Sequence, residues 1–205
     1  MLSQICETIY HKTPTLRSEL MNRHKLSSNV SYARRNLLER VINNYEEENL
    51  GFTADEFPPE KAIYFALLKN TGIHKEGRLG LHYFGEPTDK TFLELWNACN
   101  EFLEGATVGK KPLYDLYKLL KQKPFKLKEG FLEYWLPIYL FIRKDEYALY
   151  RDGIYIPYLN FEILDILMRG IHKYEIKTFH IQGIRLELFN KYRELIRQPE
   201  LEDVK

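Results

Sequence analysis

From Val30 onward the apolar residues Val30, Ala33, Leu37, Leu38, Val41, Ile42 and Tyr45 recur at helical spacing, behind Ser27, Ser28 and Asn29, whose side chains suit a helix start. The pattern predicts an amphipathic helix. Pro58-Pro59 opens a second one that buries Ile63, Ala66 and Leu67 and stops at Gly72. Gly77 to Gly85, with Leu79, Leu81 and Tyr83 alternating, reads as a short strand. Thr88 then suits the N-cap of a helix carrying Phe92, Leu95, Trp96, Cys99, Phe102 and Leu103, with Gly105 as a left-handed terminator.

Pro112 starts another helix that runs through Gln122 and buries Leu113, Leu116, Tyr117 and Leu120. Lys128 to Lys144 is apolar on nearly every side, which marks a core helix, with Pro137 kinking or splitting it. Glu146 to Tyr150 and Ile154 to Tyr158 flank Asp152-Gly153, a dipeptide that favours the tight turn of a hairpin. Asn160 caps a helix through Met168, Lys173 to Phe179 alternates as a strand, and Gly183 to Arg197 forms a last amphipathic helix. The short start of the chain is amphipathic, and Gln198 to Lys205 reads as a frayed tail or a cut linker.

Three helices followed by a hairpin give the order of a winged helix. The expected architecture is therefore mainly α with a minor α+β part: a helical-bundle lobe over residues 1–87 and a winged-helix-like lobe with a β-hairpin wing over 88–159. A helix-strand-helix extension over 160–205 packs on the winged helix.

With 205 residues, 44% of them hydrophobic and 14% aromatic, the chain has ample material for a core. Its 30 Lys and Arg nearly cancel its 29 Asp and Glu, so long-range attraction to nucleic acid or an anionic membrane is weak and any such binding needs a local patch. Cys6 and Cys99 lie far apart in apolar helical patterns, as buried thiols rather than a disulfide. Nothing at the start reads as a secretory signal, and no apolar stretch is long enough to span a bilayer. The expectation is a cytoplasmic protein with no membrane partner.

Signals for catalysis are absent. Gly105 to Pro112 resembles a phosphate-binding loop but has one residue too few between its glycines, Lys111 where a hydroxyl belongs, and a helix before it where a strand is needed. Arg143 and Lys144 separate the apolar run before them from Asp145-Glu146, which spoils a metal-holding strand end and leaves Asp145 in a turn. His11, His24, His74, His82, His172 and His180 show no metal-ligand spacing, and surface or partly satisfied imidazoles account for His74 and His82, which bracket a β-like loop. No nucleophile elbow is present. No catalytic residue, metal or cofactor is expected.

The helix around Trp135 is too apolar to read base edges and suits burial against another lobe or a protein. A basic cluster, Lys110, Lys111, Lys118, Lys121, Lys123, Lys126 and Lys128 with Arg151 at the wing tip, is the candidate for phosphate or DNA contact, set against the plainer reading of a solvated face. Arg34, Arg35 and Arg40 alternate with Glu39 and read as intrahelical pairing.

The runs Lys126 to Ile142, Asp145 to Tyr150 and Tyr155 to Tyr158 resemble a region downstream of the ATPase core in very large bacterial P-loop proteins. Those proteins are similar to the ATPases of phage-defence islands, the BREX type among them. Ala33 to Arg40, Phe57 to Lys61, Ala66 to Gly72 and Gly183 to Leu195 extend the likeness across residues 1 to 197. These are packing and turn motifs. The resemblance implies an excised segment of such a protein, with no ATPase residue carried onto this chain, working as a non-catalytic interaction or coupling module. Its partners would be other domains of the parent ATPase or defence-system proteins. The alternative is a non-specific DNA-binding module that uses the basic cluster.

Overall fold

The computed structural model describes residues 9–77 and 80–179. Among these residues it is mainly α with a small antiparallel β part, as the periodicity predicts. The six α-helices are α1 (Ser28–Asn43), α2 (Pro59–Tyr64), α3 (Lys90–Glu104), α4 (Leu113–Lys121), α5 (Glu129–Ile142) and α6 (Phe161–Leu167). Helix α2 continues as a wider turn over Phe65–Lys69, and α6 as a tighter one over Met168–Lys173. The helix expected over Gly183 to Arg197, and Cys6 and His180, lie outside the described residues.

Helix α5 is the centre of the core. Phe131 to Phe141 contains a single residue that is not buried, Glu133, and Trp135 is fully buried. Pro137 sits inside a continuous helix and splits nothing. Gly130, at the start of α5, lets the segment before α1 approach closely: a Cβ there would meet the carbonyl oxygens of Met21 and Arg23, each at 2.8 Å. Helix α3 packs its aromatics against α5, with Phe92 and Trp96 meeting Trp135 edge-on and Trp96 doing the same to Tyr139. Helix α1 contacts α2, α5 and α6, and one continuous buried cluster runs from Met21 to Ile176.

A four-stranded antiparallel sheet has the order β3-β6-β4-β5, with β3 (Lys111–Pro112), β4 (Tyr147–Arg151), β5 (Ile154–Ile156) and β6 (Tyr174–Thr178). The expected hairpin is present. Asp152 and Gly153 both take positive φ, 49° and 80°, between the paired residues Arg151 and Ile154. This is the geometry that Asp-Gly favours. Strand β6, predicted from its alternation, inserts between β3 and β4, and α3 and α4 pack on it. Alternation puts Leu149, Tyr174 and Ile176 on the core face, while Tyr150, Tyr155, Glu175 and Lys177 face outward.

Several local expectations are corrected. Within the segment from Gly77 to Gly85, β2 (His82–Phe84) forms one arm of a two-stranded hairpin with β1 (His74–Glu76), while Leu79 lies outside the described residues. The inward residue of β2 is His82, whereas Leu81 is exposed, because buried His74 anchors the hairpin to the end of α1. Asp89, not Thr88, caps α3, accepting from the Thr91 amide at 2.8 Å. Gly105 follows α3 with φ of −65°, so the left-handed stop is absent there. Gly72 does provide one, with φ of 72°, packed against Thr88. Ser27 occupies the N-cap of α1 without a side-chain cap bond, whereas Asn160 accepts from the Ile163 amide as expected.

Candidate functional site

Helix α1 places Arg34 on its apolar stripe, between Val30 and Leu37, and only 4% of the residue is exposed. A guanidinium in that position needs acidic and carbonyl partners, since a buried charge without them is strongly unfavourable. Helix α6 supplies them. Arg34 Nη2 donates to Asp165 Oδ1 at 2.5 Å and to the Asp165 carbonyl at 3.2 Å, and Arg35 Nε lies 3.7 Å from Asp165 Oδ2. Glu133 on α5 approaches Arg34 Nε at 3.8 Å, an ion-pair distance too long for a hydrogen bond. Burial raises the Glu133 carboxyl above its ordinary value, and Arg34 pulls it back part of the way. Arg34, Glu133 and Asp165 border a cleft of about 520 Å³ between α1, α4, α5 and α6, lined also by Ser31, Tyr117, Glu129 and Arg169.

The pairing read for these arginines within α1 is therefore corrected: Arg34 and Arg35 reach across to α6, and Arg40 donates to the Leu50 carbonyl and pairs with Glu56. The available sequence signal was an arginine falling in phase with Val30, Leu37, Leu38 and Val41. Its partner, 131 residues away, leaves no local signature.

The eight basic candidates fall into three neighbourhoods. On α4, Lys118 pairs with Asp115, and Lys121 with Glu129 and the Tyr117 hydroxyl. Around the loop before α5, Lys123 lies over the Tyr10 ring, Lys128 donates to the Asn22 carbonyl, and Lys126 and Lys128 line a cavity of about 300 Å³ beside Tyr10 and Thr13. At the sheet, Lys110 sits 3.7 Å over the Tyr150 ring, Lys111 over Phe102, and Arg151 over Tyr174 beside Asp152.

The chain matches no family profile, curated protein or solved structure.

Two features remain, one in each sheet. The first is β5, an edge strand with an open outer side among the described residues. Its inner side pairs with β4, and Ile154 and Tyr155 are 73% and 54% exposed, followed by Tyr158 at 80%. The second is His74, where the sequence allowed a surface or partly satisfied imidazole and the structure buries the ring with both nitrogens bonded. Its Nδ1 accepts from the Tyr64 hydroxyl and its Nε2–H donates to the Tyr45 carbonyl, both at 2.8 Å, which fixes a neutral tautomer. Burial lowers the His74 pKa below the ordinary 6.5.

The sign of the resulting pH dependence follows. Between the lowered value and 6.5 the unfolded chain binds more protons than the folded one, so stability rises with pH through that window and is lost as pH falls through it. Melting curves from about pH 5 to 7.5 are expected to show this slope, reduced in His74→Gln. Equal slopes in the two proteins would remove His74 as the cause.

Proposed function

We propose that the chain is a non-catalytic interaction module of a larger cytoplasmic P-loop ATPase, docking an extended apolar segment of a neighbouring domain along β5. The observation that carries this reading is the β5 edge. An edge strand presents unpaired amides and carbonyls, and proteins commonly guard such edges with lysines, prolines or inward charges. Here the three-residue strand stops at Pro157, but it carries exposed Ile154 and Tyr155, and the exposed aromatic Tyr158 follows. Main-chain pairing by an added strand supplies affinity, and the two side chains supply selectivity. The likeness of Lys126 to Tyr158 to the region beyond the ATPase core supports a domain of that parent as the occupant. No helix among the described residues is long and apolar enough to cross a membrane, which agrees with a partner met in water.

Titration calorimetry with the purified ATPase core encoded at the same locus tests this. Ile154→Glu and Tyr155→Lys are each expected to weaken binding about 10-fold or more, the loss of one buried anchor, while leaving the melting temperature unchanged. Absence of binding by the wild-type chain defeats the proposal.

One observation favours DNA as a second reading. Lys110 lies over Tyr150, whose cross-strand neighbour is exposed Tyr155, with Arg151 at the adjoining turn. Aromatic faces beside cations suit stacked bases and phosphates. Affinity for generic duplex or single-stranded DNA would then fall steeply with salt, and the pair Lys110→Glu and Arg151→Glu would abolish it, with Lys121→Glu and Lys123→Glu testing the α4 side. No shift at low salt ends this reading.

A further inference from the structure

The cleft between α1, α4, α5 and α6 holds a polar set that folding alone leaves incompletely paired. Arg34 uses Nη2 on Asp165, but its buried Nη1 and Nε have no hydrogen-bond acceptor. Buried polar groups in folded proteins are nearly always bonded, so each exception calls for a cause such as a missing ion or ligand. The space is of ligand size, since small-molecule sites run from about 300 to 1,000 Å³. Arg169 adds a second cation at the exposed rim, close enough to act on the Glu133 carboxyl, while Ser31 and Tyr117 contribute neutral hydroxyls.

Three carboxylates and two guanidinium groups line the cleft, so the ligand is indicated by which of them still lack partners. The cleft's acids are already engaged: Asp165 with Arg34 and Arg35, Glu129 with Lys121, and Glu133 lies close to Arg34. No group of three or more His, Cys, Asp or Glu side chains among the described residues is arranged to hold a metal ion. What is unmet is donor capacity on the Arg34 guanidinium, which is matched by the oxygens of an anion.

We infer that this cleft binds a small molecule through a carboxylate or phosphate group, seated on Arg34 and Arg169 with Ser31 and Tyr117 as neutral partners. The site is separate from the β5 edge, so either reading stands if the other fails.

Melting temperature and titration calorimetry are measured with inorganic phosphate and with malonate, against sodium chloride at equal ionic strength. One or both probes are expected to stabilise the protein beyond chloride, the stronger arm distinguishing a phosphate-bearing from a carboxylate-bearing ligand. Phosphate also stabilises proteins generally by exclusion from their surface, so the variants decide. Arg169→Gln and Tyr117→Phe, which leave the buried Arg34–Asp165 pair intact, are expected to weaken the affinity about 10-fold and several-fold respectively. Arg34→Lys is expected to abolish it, and if that variant does not fold, Arg169→Gln alone decides. A response no greater than chloride, or one undiminished in Arg169→Gln, overturns the assignment.

Discussion

Trp135→Ala is expected to destabilise the protein by about 3–5 kcal/mol, the range for removing a fully buried large aromatic side chain. For a chain of 205 residues this corresponds to a drop of roughly 6–20 °C in melting temperature. The indole is fully buried, stacked on Phe131 and Tyr139 and met edge-on by Phe92 and Trp96, so its removal strips contacts from two helices at once. Surrounding rings cannot collapse into the space without leaving their own partners, which puts the cost towards the upper end. A second readout is chemical. Trp135 Nε1–H donates to Cys99 Sγ at 3.4 Å, and burial pushes the Cys99 thiol up to about 12, so native Cys99 is inert to alkylation. In Trp135→Ala the Cys99 peptide is expected to be labelled faster, as followed by mass spectrometry. A loss under about 1 kcal/mol with unchanged labelling contradicts the central place given to α5.

Asp165→Ala is expected to cost about 3–5 kcal/mol, because it leaves the Arg34 guanidinium buried with only the longer 3.8 Å approach of Glu133. The side chains of Arg34 and Asp165 are only 5% and 7% exposed, so solvent screening gives little relief. Most of that loss belongs to the uncompensated charge and little to the net worth of the pair. The double variant Arg34→Met with Asp165→Leu is therefore expected to recover most of the stability, as buried ion pairs replaced by apolar residues of similar volume often do. Urea unfolding of the two single variants and the double variant measures this directly. Additive losses in the double variant would mean that the two side chains do not act as one unit. Exposed pairs such as Lys118–Asp115 are expected to contribute little by comparison.

The helices were readable because each carries its own evidence. In α3, Phe92, Leu95, Trp96, Cys99, Phe102 and Leu103 are all buried, as their spacing implies. The hairpin at Asp152-Gly153 was readable for the same reason, since two adjacent residues with positive φ are a local demand. Errors arose where two local signals competed. Thr88 and Asp89 are both capable caps, and backbone geometry selected Asp89. In β2, apolar alternation pointed to Leu81 and Tyr83, but the hydrogen bonds of His74 turned the other face inward. Of the candidate site, the basic residues were visible as a run of charges, while the Arg34 cleft was not.

The sequence by itself determined the mainly α class, the position of the Asp152-Gly153 turn and the burial of the segment around Trp135, because helix period, turn chemistry and continuous apolarity act within a few residues. Only the tertiary structure decided that β6 lies between β3 and β4, that β5 is left as an open edge, and that Arg34 meets Asp165. Those outcomes depend on which distant surfaces fit together and satisfy one another's polar groups, a requirement written into no single stretch of the chain.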